Sequence, residues 1–196
     1  MHYGEVSERL ENLMGALAVA FSDSITSAVE TASGHAGAMG AALATLAQEP
    51  GLSIEQLRVP LARTQSATVR VVDQLVAEGY AERRPGRDQR SIAVFLTTEG
   101  TEVAAQVLAS RQDALTAALG ELTPGERKTL TAALEKVLAA ITTDRAHADH
   151  ICRLCDLAAC PEKVCPVELA ALAYGSSGGA DSTRGSGAST QEVTQA

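Results

Sequence analysis

The sequence predicts a mainly α-helical protein, and three observations carry that expectation. Apolar residues make up 45% of the 196, yet there is no Trp and only two Phe and three Tyr. A core made of Ala, Leu and Val favours packed helices over a β-sandwich. Apolar residues recur at helical spacing along most of the chain. Only YAERR and SIAVFLT, flanking PGRDQ, read as short strands about a Pro–Gly and Asp turn.

The elements follow in order. Val6, Leu10, Leu13, Leu17, Ala20, Phe21 and Ile25 make a long helix over 5–31. After a break at Ser33–Gly34, a second helix covers 35–48 and is closed by Pro50–Gly51. Ser53 heads a capping box with Gln56, opening a short helix through Leu57 and Leu61, which Pro60 must bend or end. Thr64 opens the next helix, TQSATVRVVDQLVAEG, which stops at Gly79. The hairpin follows, then helices over 98–119 and 124–142, the latter with Pro124 in its first turn.

Short helix, turn, helix and hairpin is the order of a winged helix-turn-helix. Such a recognition helix presents short polar groups near its N-terminus, where it enters the major groove. Thr64, Gln65, Ser66 and Thr68 are of that kind, and Arg70 can reach base or phosphate. The wing adds Arg84 and, at its tip, Arg87, Asp88 and Arg90, where the Asp can orient a guanidinium bound for the minor groove. Net charge is −8, which by itself speaks against nucleic acid. The distribution reverses that: residues 63–90 hold six Arg against four acids, whereas residues 1–62 hold two Arg against seven acids.

The stretch VRVVDQLVAEGYAERRPGRDQRSIAVFLTTEG (69–100) resembles the recognition helix and wing of the MarR family of transcriptional regulators. The matching residues are Val72–Asp73–Gln74–Leu75, Glu78–Gly79–Tyr80, Arg83–Arg84, Asp88–Gln89–Arg90 and Leu96–Thr97–Thr98–Glu99–Gly100. The resemblance covers roughly residues 5–142. It implies a homodimer whose first and last two helices form the dimer platform, bound to a pseudo-palindromic operator on double-stranded DNA, usually as a repressor. The expected fold class is thus mainly α, a winged helix-turn-helix with a helical dimerisation platform and a small two-stranded wing. Wide Ala/Leu faces such as LTAALEKVLAAI (130–141) agree with pairing to a second copy. Two departures stand out. The helices that would line a ligand pocket are poor in aromatics, against a phenolic effector, and the tail from His147 onward is outside the common pattern.

That tail holds all four cysteines, spaced C-x2-C-x4-C-x4-C: Cys152, Cys155, Cys160 and Cys165. Cys152 and Cys155 lie one helical turn apart, and Pro161 and Pro166 let the chain curl back so that four thiolates can converge. Four-cysteine zinc sites usually come as two C-x2-C pairs separated by a longer insert. Compact runs ending in Cys-Pro are common iron–sulfur ligands. The arrangement is also similar to the C-terminal cluster loop of the SoxR redox-sensing regulators, with different spacing. The reading is an iron–sulfur cluster, 4Fe-4S or 2Fe-2S, with zinc as the alternative and a thiol–disulfide switch as the third. His35 reads as structural, and His147 and His150 as solvent-exposed rather than as ligands. Placed just after the last platform helix, the cluster is expected to act by changing how the dimer packs.

The chain divides into residues 1–145 (regulator domain, DNA-reading part about 52–98), the cysteine-rich segment 146–170, and a Gly/Ser/Thr-rich tail 171–196 expected to be disordered. No phosphate-binding or dinucleotide glycine motif and no nucleophile–base arrangement is present, so no enzyme is expected. The longest largely apolar stretch, LMGALAVAF (13–21), falls short of the ~20 residues of a membrane span. The expected location is the cytoplasm, whose reducing poise favours metal-ligating thiols over disulfides.

Overall fold

The computed structural model describes residues 3–35, 37–86 and 91–177. Within them the order is α1 (Tyr3–Ser33), α2 (Met39–Gln48), β1 (Leu52–Ser53), α3 (Ile54–Leu61), α4 (Gln65–Ala77), β2 (Ala81–Pro85), β3 (Ile92–Leu96), α5 (Thr98–Leu119), α6 (Pro124–Ile141), α7 (Arg145–Ile151) and α8 (Pro166–Ser177). Helix α2 starts at Met39 rather than 35, because Gly34 and Gly37 take positive φ (72° and 89°) between the helices.

The reading head is α2, α3, α4 and the sheet. Its core joins Met39, Leu43 and Leu46 of α2 to Leu57 and Leu61 of α3, Val72 and Leu75 of α4, and Val94 of β3. The Ser53 capping box is formed, with the Gln56 amide donating to Ser53 Oγ (3.2 Å) and the Ser53 amide to Gln56 Oε1 (2.9 Å). Pro60 is accommodated in the last turn of α3, which then stops at Ala62 with φ 49°. The wing is larger than the two strands expected. Leu52 and Ser53 pair antiparallel with Val94 and Ala93, giving the three-stranded order β1-β3-β2. Two residues ahead of a capping box carry no alternation from which a strand could be read.

Gly100, in the first turn of α5, fixes how that helix leaves the wing. A Cβ there would lie 1.8 Å from the Tyr80 carbonyl oxygen, which already accepts from the Thr97 amide at 3.0 Å. Backbone cannot yield as a side-chain tip can. Gly100→Ala should therefore destabilise the fold by about 1–3 kcal/mol, read as a lower urea midpoint; an unchanged midpoint would show that the contact is relieved cheaply.

Helix α1 packs along α5, but Leu10, Leu13, Met14, Leu17 and Val19 remain exposed on it. Helix α6 buries no residue, packs chiefly on α8, and exposes Leu134, Val137 and Ile141. Among the described residues α1 is also the one helix long and apolar enough to cross a membrane, with a mean hydropathy of 1.2 over an 18-residue window within Glu8–Ser33. The sequence reading missed this because Asp23 and Glu30 interrupt the apolar run. The C-terminal boundary shifts too. Residues 171–177 belong to α8, not to the tail, since Val167 and Ala171 are buried in a small cluster with Ala148 and Cys165.

Candidate nucleic-acid interface and four-cysteine site

Helix α4 starts where polar side chains at its N-terminus require. Thr64 is the N-cap, its Oγ1 accepting from the Ala67 amide (3.3 Å) and lying 3.2 Å from Ser66 Oγ. Thr64, Gln65, Ser66 and Arg70 are all exposed, so the surface expected to meet DNA is presented together. Thr68 is the exception and a correction. It is fully buried, and its Oγ1 donates to the Thr64 carbonyl at 3.0 Å. One turn beyond the cap it faces the head's interior, like Val72 four residues later, and cannot contact a base.

The wing is tied to this helix by Arg83, whose guanidinium donates to Asp73 Oδ1 at 2.6 Å. Arg84 is held back within the wing. It pairs with Glu82, Nε donating at 2.9 Å, and its guanidinium lies 4.9 Å from the Phe95 ring centroid. Arg87, Asp88 and Arg90 lie outside the described residues. His35 links the α1–α2 connection to α4, with Nδ1 3.3 Å from Gln74 Nε2 and Nε2 3.3 Å from Glu78 Oε1, which is the structural role expected of it.

Asp144 opens α7 as its N-cap, accepting from the His147 amide at 2.8 Å, and that bond holds its carboxyl below the usual range. The chain then turns on itself: the Cys155 amide donates to the Cys152 carbonyl (2.8 Å) and the Cys165 amide to that of Pro161 (3.0 Å). The four thiols act on one another chiefly as two pairs. In the first, interaction with Cys155 and burial push Cys152 far up, while interaction with Cys152, helped by the Arg111 guanidinium, pulls Cys155 down to about 6. In the second, burial and then interaction with Cys165 push Cys160 up to about 11. The charges of Cys160 and Cys165 also act on Cys152, so the pairs are neighbours.

A cavity of about 430 Å³ lies between this segment and α2–α3. It is lined by Cys152, Cys160 and Cys165 from one side and by Thr45, Gln48 and Gln56 from the other; the buried Thr45 Oγ1 has no hydrogen-bond partner. Cys155 is the sulfur outside that lining. Three soft thiols on such a space, with a fourth beside it, suit a cluster or zinc in donor chemistry. In their present positions, among the described residues, no three His, Cys, Asp or Glu side chains are grouped closely enough to hold a metal ion.

The segment is seated where the sequence did not place it. Helix α7 packs on α3. Leu154 packs against both the head core and the Val29–Ala44–Val107 cluster between α1, α2 and α5. The Leu157 amide donates to Gln48 Oε1 at 2.9 Å. His150, expected in solvent, is half-buried with Nδ1 2.8 Å from the Pro60 carbonyl. His147 does not approach the thiols; its Nδ1 lies 3.3 Å from the Thr143 amide. Gln48, His150 and Leu154 are the residues that sequence reasoning missed. The bonds of Gln48 and His150 span 109 and 90 positions, and Leu154 packs on Val107 and residues still further back, where no local pattern points.

No family model matches the sequence, and no curated protein matches it. Solved structures do. A MarR family protein from Bacillus stearothermophilus matches with a TM-score of 0.63 at 21% identity, over 73% of this chain and 100% of that one. Wild-type MarR from E. coli matches at 0.53 with 26% identity, over 63% and 96%. A MarR family transcriptional regulator from Silicibacter pomeroyi matches at 0.53 with 31% identity, over 67% and 92%. With that identity over nearly the full length of a member, on a winged helix-turn-helix whose α4 presents its polar end to solvent, this chain belongs to the MarR family of transcriptional regulators.

Proposed function

We propose that the chain is a homodimeric, cytoplasmic repressor that binds a pseudo-palindromic operator on double-stranded DNA. Its hold on that operator is set by an iron–sulfur cluster on Cys152, Cys155, Cys160 and Cys165. The observation carrying this reading is the seat of the cysteine segment: three of its thiols line a cavity whose opposite wall is α2 and α3 of the reading head. A bound cluster would supply a linkage of the four thiolates that oxidation or iron loss can undo. The chain's own part is to couple the thiols to the head, through α7 on α3 and through Leu154 between the two cores. Half-sites lie about 34 Å apart, so small shifts of either α4 weaken binding sharply. Zinc at the same thiols is the second reading, favoured by the same donor set, with the segment then a staple for the C-terminus.

The test is protein purified without oxygen, with a visible spectrum and analysis for iron, sulfide and zinc. A broad visible band that air bleaches, with iron and sulfide, is the expected result. A colourless protein with about one zinc per chain would select the second reading. Under the first, Cys152→Ser with Cys155→Ser should change affinity for a duplex selected by the wild type about tenfold or more, within the 1–3 kcal/mol usual for coupling between sites. Unchanged affinity with and without oxygen would sink modulation by the thiols.

A further inference from the structure

We infer that His150 is a positioning residue for DNA reading, a latch from the cysteine segment onto the turn between α3 and α4. The inference rests on the DNA-binding reading and does not depend on what the thiols hold. The turn is under backbone constraint. Ala62, at its centre, has φ 49°, the only positive φ at a non-glycine among the described residues, in a region that disfavours any side chain with a Cβ. Two residues earlier Pro60 stands in the last turn of α3, and its carbonyl is one of the helix-end acceptors that lack a partner in their own helix. The amides of Ala62 and Arg63 go to the Val59 and Arg58 carbonyls instead.

His150 Nδ1 reaches the Pro60 carbonyl at 2.8 Å. A carbonyl only accepts, so Nδ1 carries the proton. Nε2 is then the acceptor, and Arg153 Nη1 lies 3.4 Å from it while donating to the His150 carbonyl at 2.6 Å. The imidazole is thus held from behind and aimed at the end of α3. Four residues beyond Pro60 stands Thr64, the cap of α4. The bond therefore fixes the turn that sets the angle between the supporting helix and the recognition helix. It comes from a residue two positions before Cys152, so the segment and the reading angle share one contact.

The measurement is discrimination: the affinity for a duplex selected by the wild type from a random pool, divided by that for a scrambled duplex of equal length. His150→Ala should lower the ratio about tenfold, the order expected for one buried hydrogen bond and the turn it holds. Binding to the scrambled duplex and its salt slope should stay as they were, since no phosphate contact is lost. His150→Gln, whose amide can donate to the same carbonyl, should recover most of the ratio. A wild-type ratio in His150→Ala overturns the latch. So does a fall in both affinities that merely follows the melting temperature, or a Gln variant no better than Ala. Equal operator affinity of the wild type and a chain with all four cysteines changed to Ser would overturn modulation by the thiols, leaving the His150 ratio to decide the latch. A wild type that selects no duplex overturns the DNA-binding reading and the latch with it.

Discussion

Leu17→Asp combined with Leu134→Asp should convert the protein to a monomer and reduce operator affinity by two to four orders of magnitude, the avidity carried by linking two half-sites. Both positions lie on apolar surface that the single chain leaves uncovered. Leu10, Leu13, Met14 and Leu17 run down one side of α1, and Leu134, Val137 and Ile141 down α6, which buries nothing of its own. Exposed apolar stripes of this kind are the mark of an interface, and pairing of two copies would cover them. A carboxylate in the middle of that face would be stranded without a partner, at a cost far above that of the same change at a solvated position. Sedimentation velocity gives the mass and a binding titration the affinity. A double variant that remains a dimer, or a monomer that keeps wild-type affinity, would remove the platform from the mechanism.

Gln65→Ala with Arg70→Ala should weaken binding to the selected duplex by about one to two orders of magnitude or more, taking 1–3 kcal/mol for each good base contact. Gln65 is the first residue of α4 and Arg70 lies in its second turn; both are exposed. Gln65 alone should relax preference at particular base pairs with little effect on salt dependence. Arg70, if it meets phosphate, should lower the salt slope by about one. Binding left unchanged by the pair would mean that α4 is not the reading element.

Much of the regulator was legible in the sequence. The capping box at Ser53–Gln56, the cap at Thr64, the glycine at 79 and Pro124 each announce an element boundary through groups only a few residues apart, and the structure places α3, α4, α5 and α6 accordingly. The face of α4 was read less well. Thr68 looks like a polar contact when counted from the helix start, yet burial among Val72, Leu75 and the α3 core decides its direction. The added strand β1 was invisible because a two-residue pairing leaves no period to detect.

The four-cysteine segment marks the division most clearly. Chemistry belongs to residue type and spacing, so the sequence by itself determined that four soft ligands stand within fourteen positions, after the platform helices and outside the common pattern of the family. Where the segment sits was decided only by tertiary structure. The segment follows α6 in the chain and so suggested an effect on the dimer platform, but its apolar side chain Leu154 finds its partners between α2 and α5, and His150 and Leu157 find theirs on Pro60 and Gln48. Hydrogen bonds spanning 90 and 109 residues are fixed by which surfaces exclude water together, and no run of neighbouring residues records that.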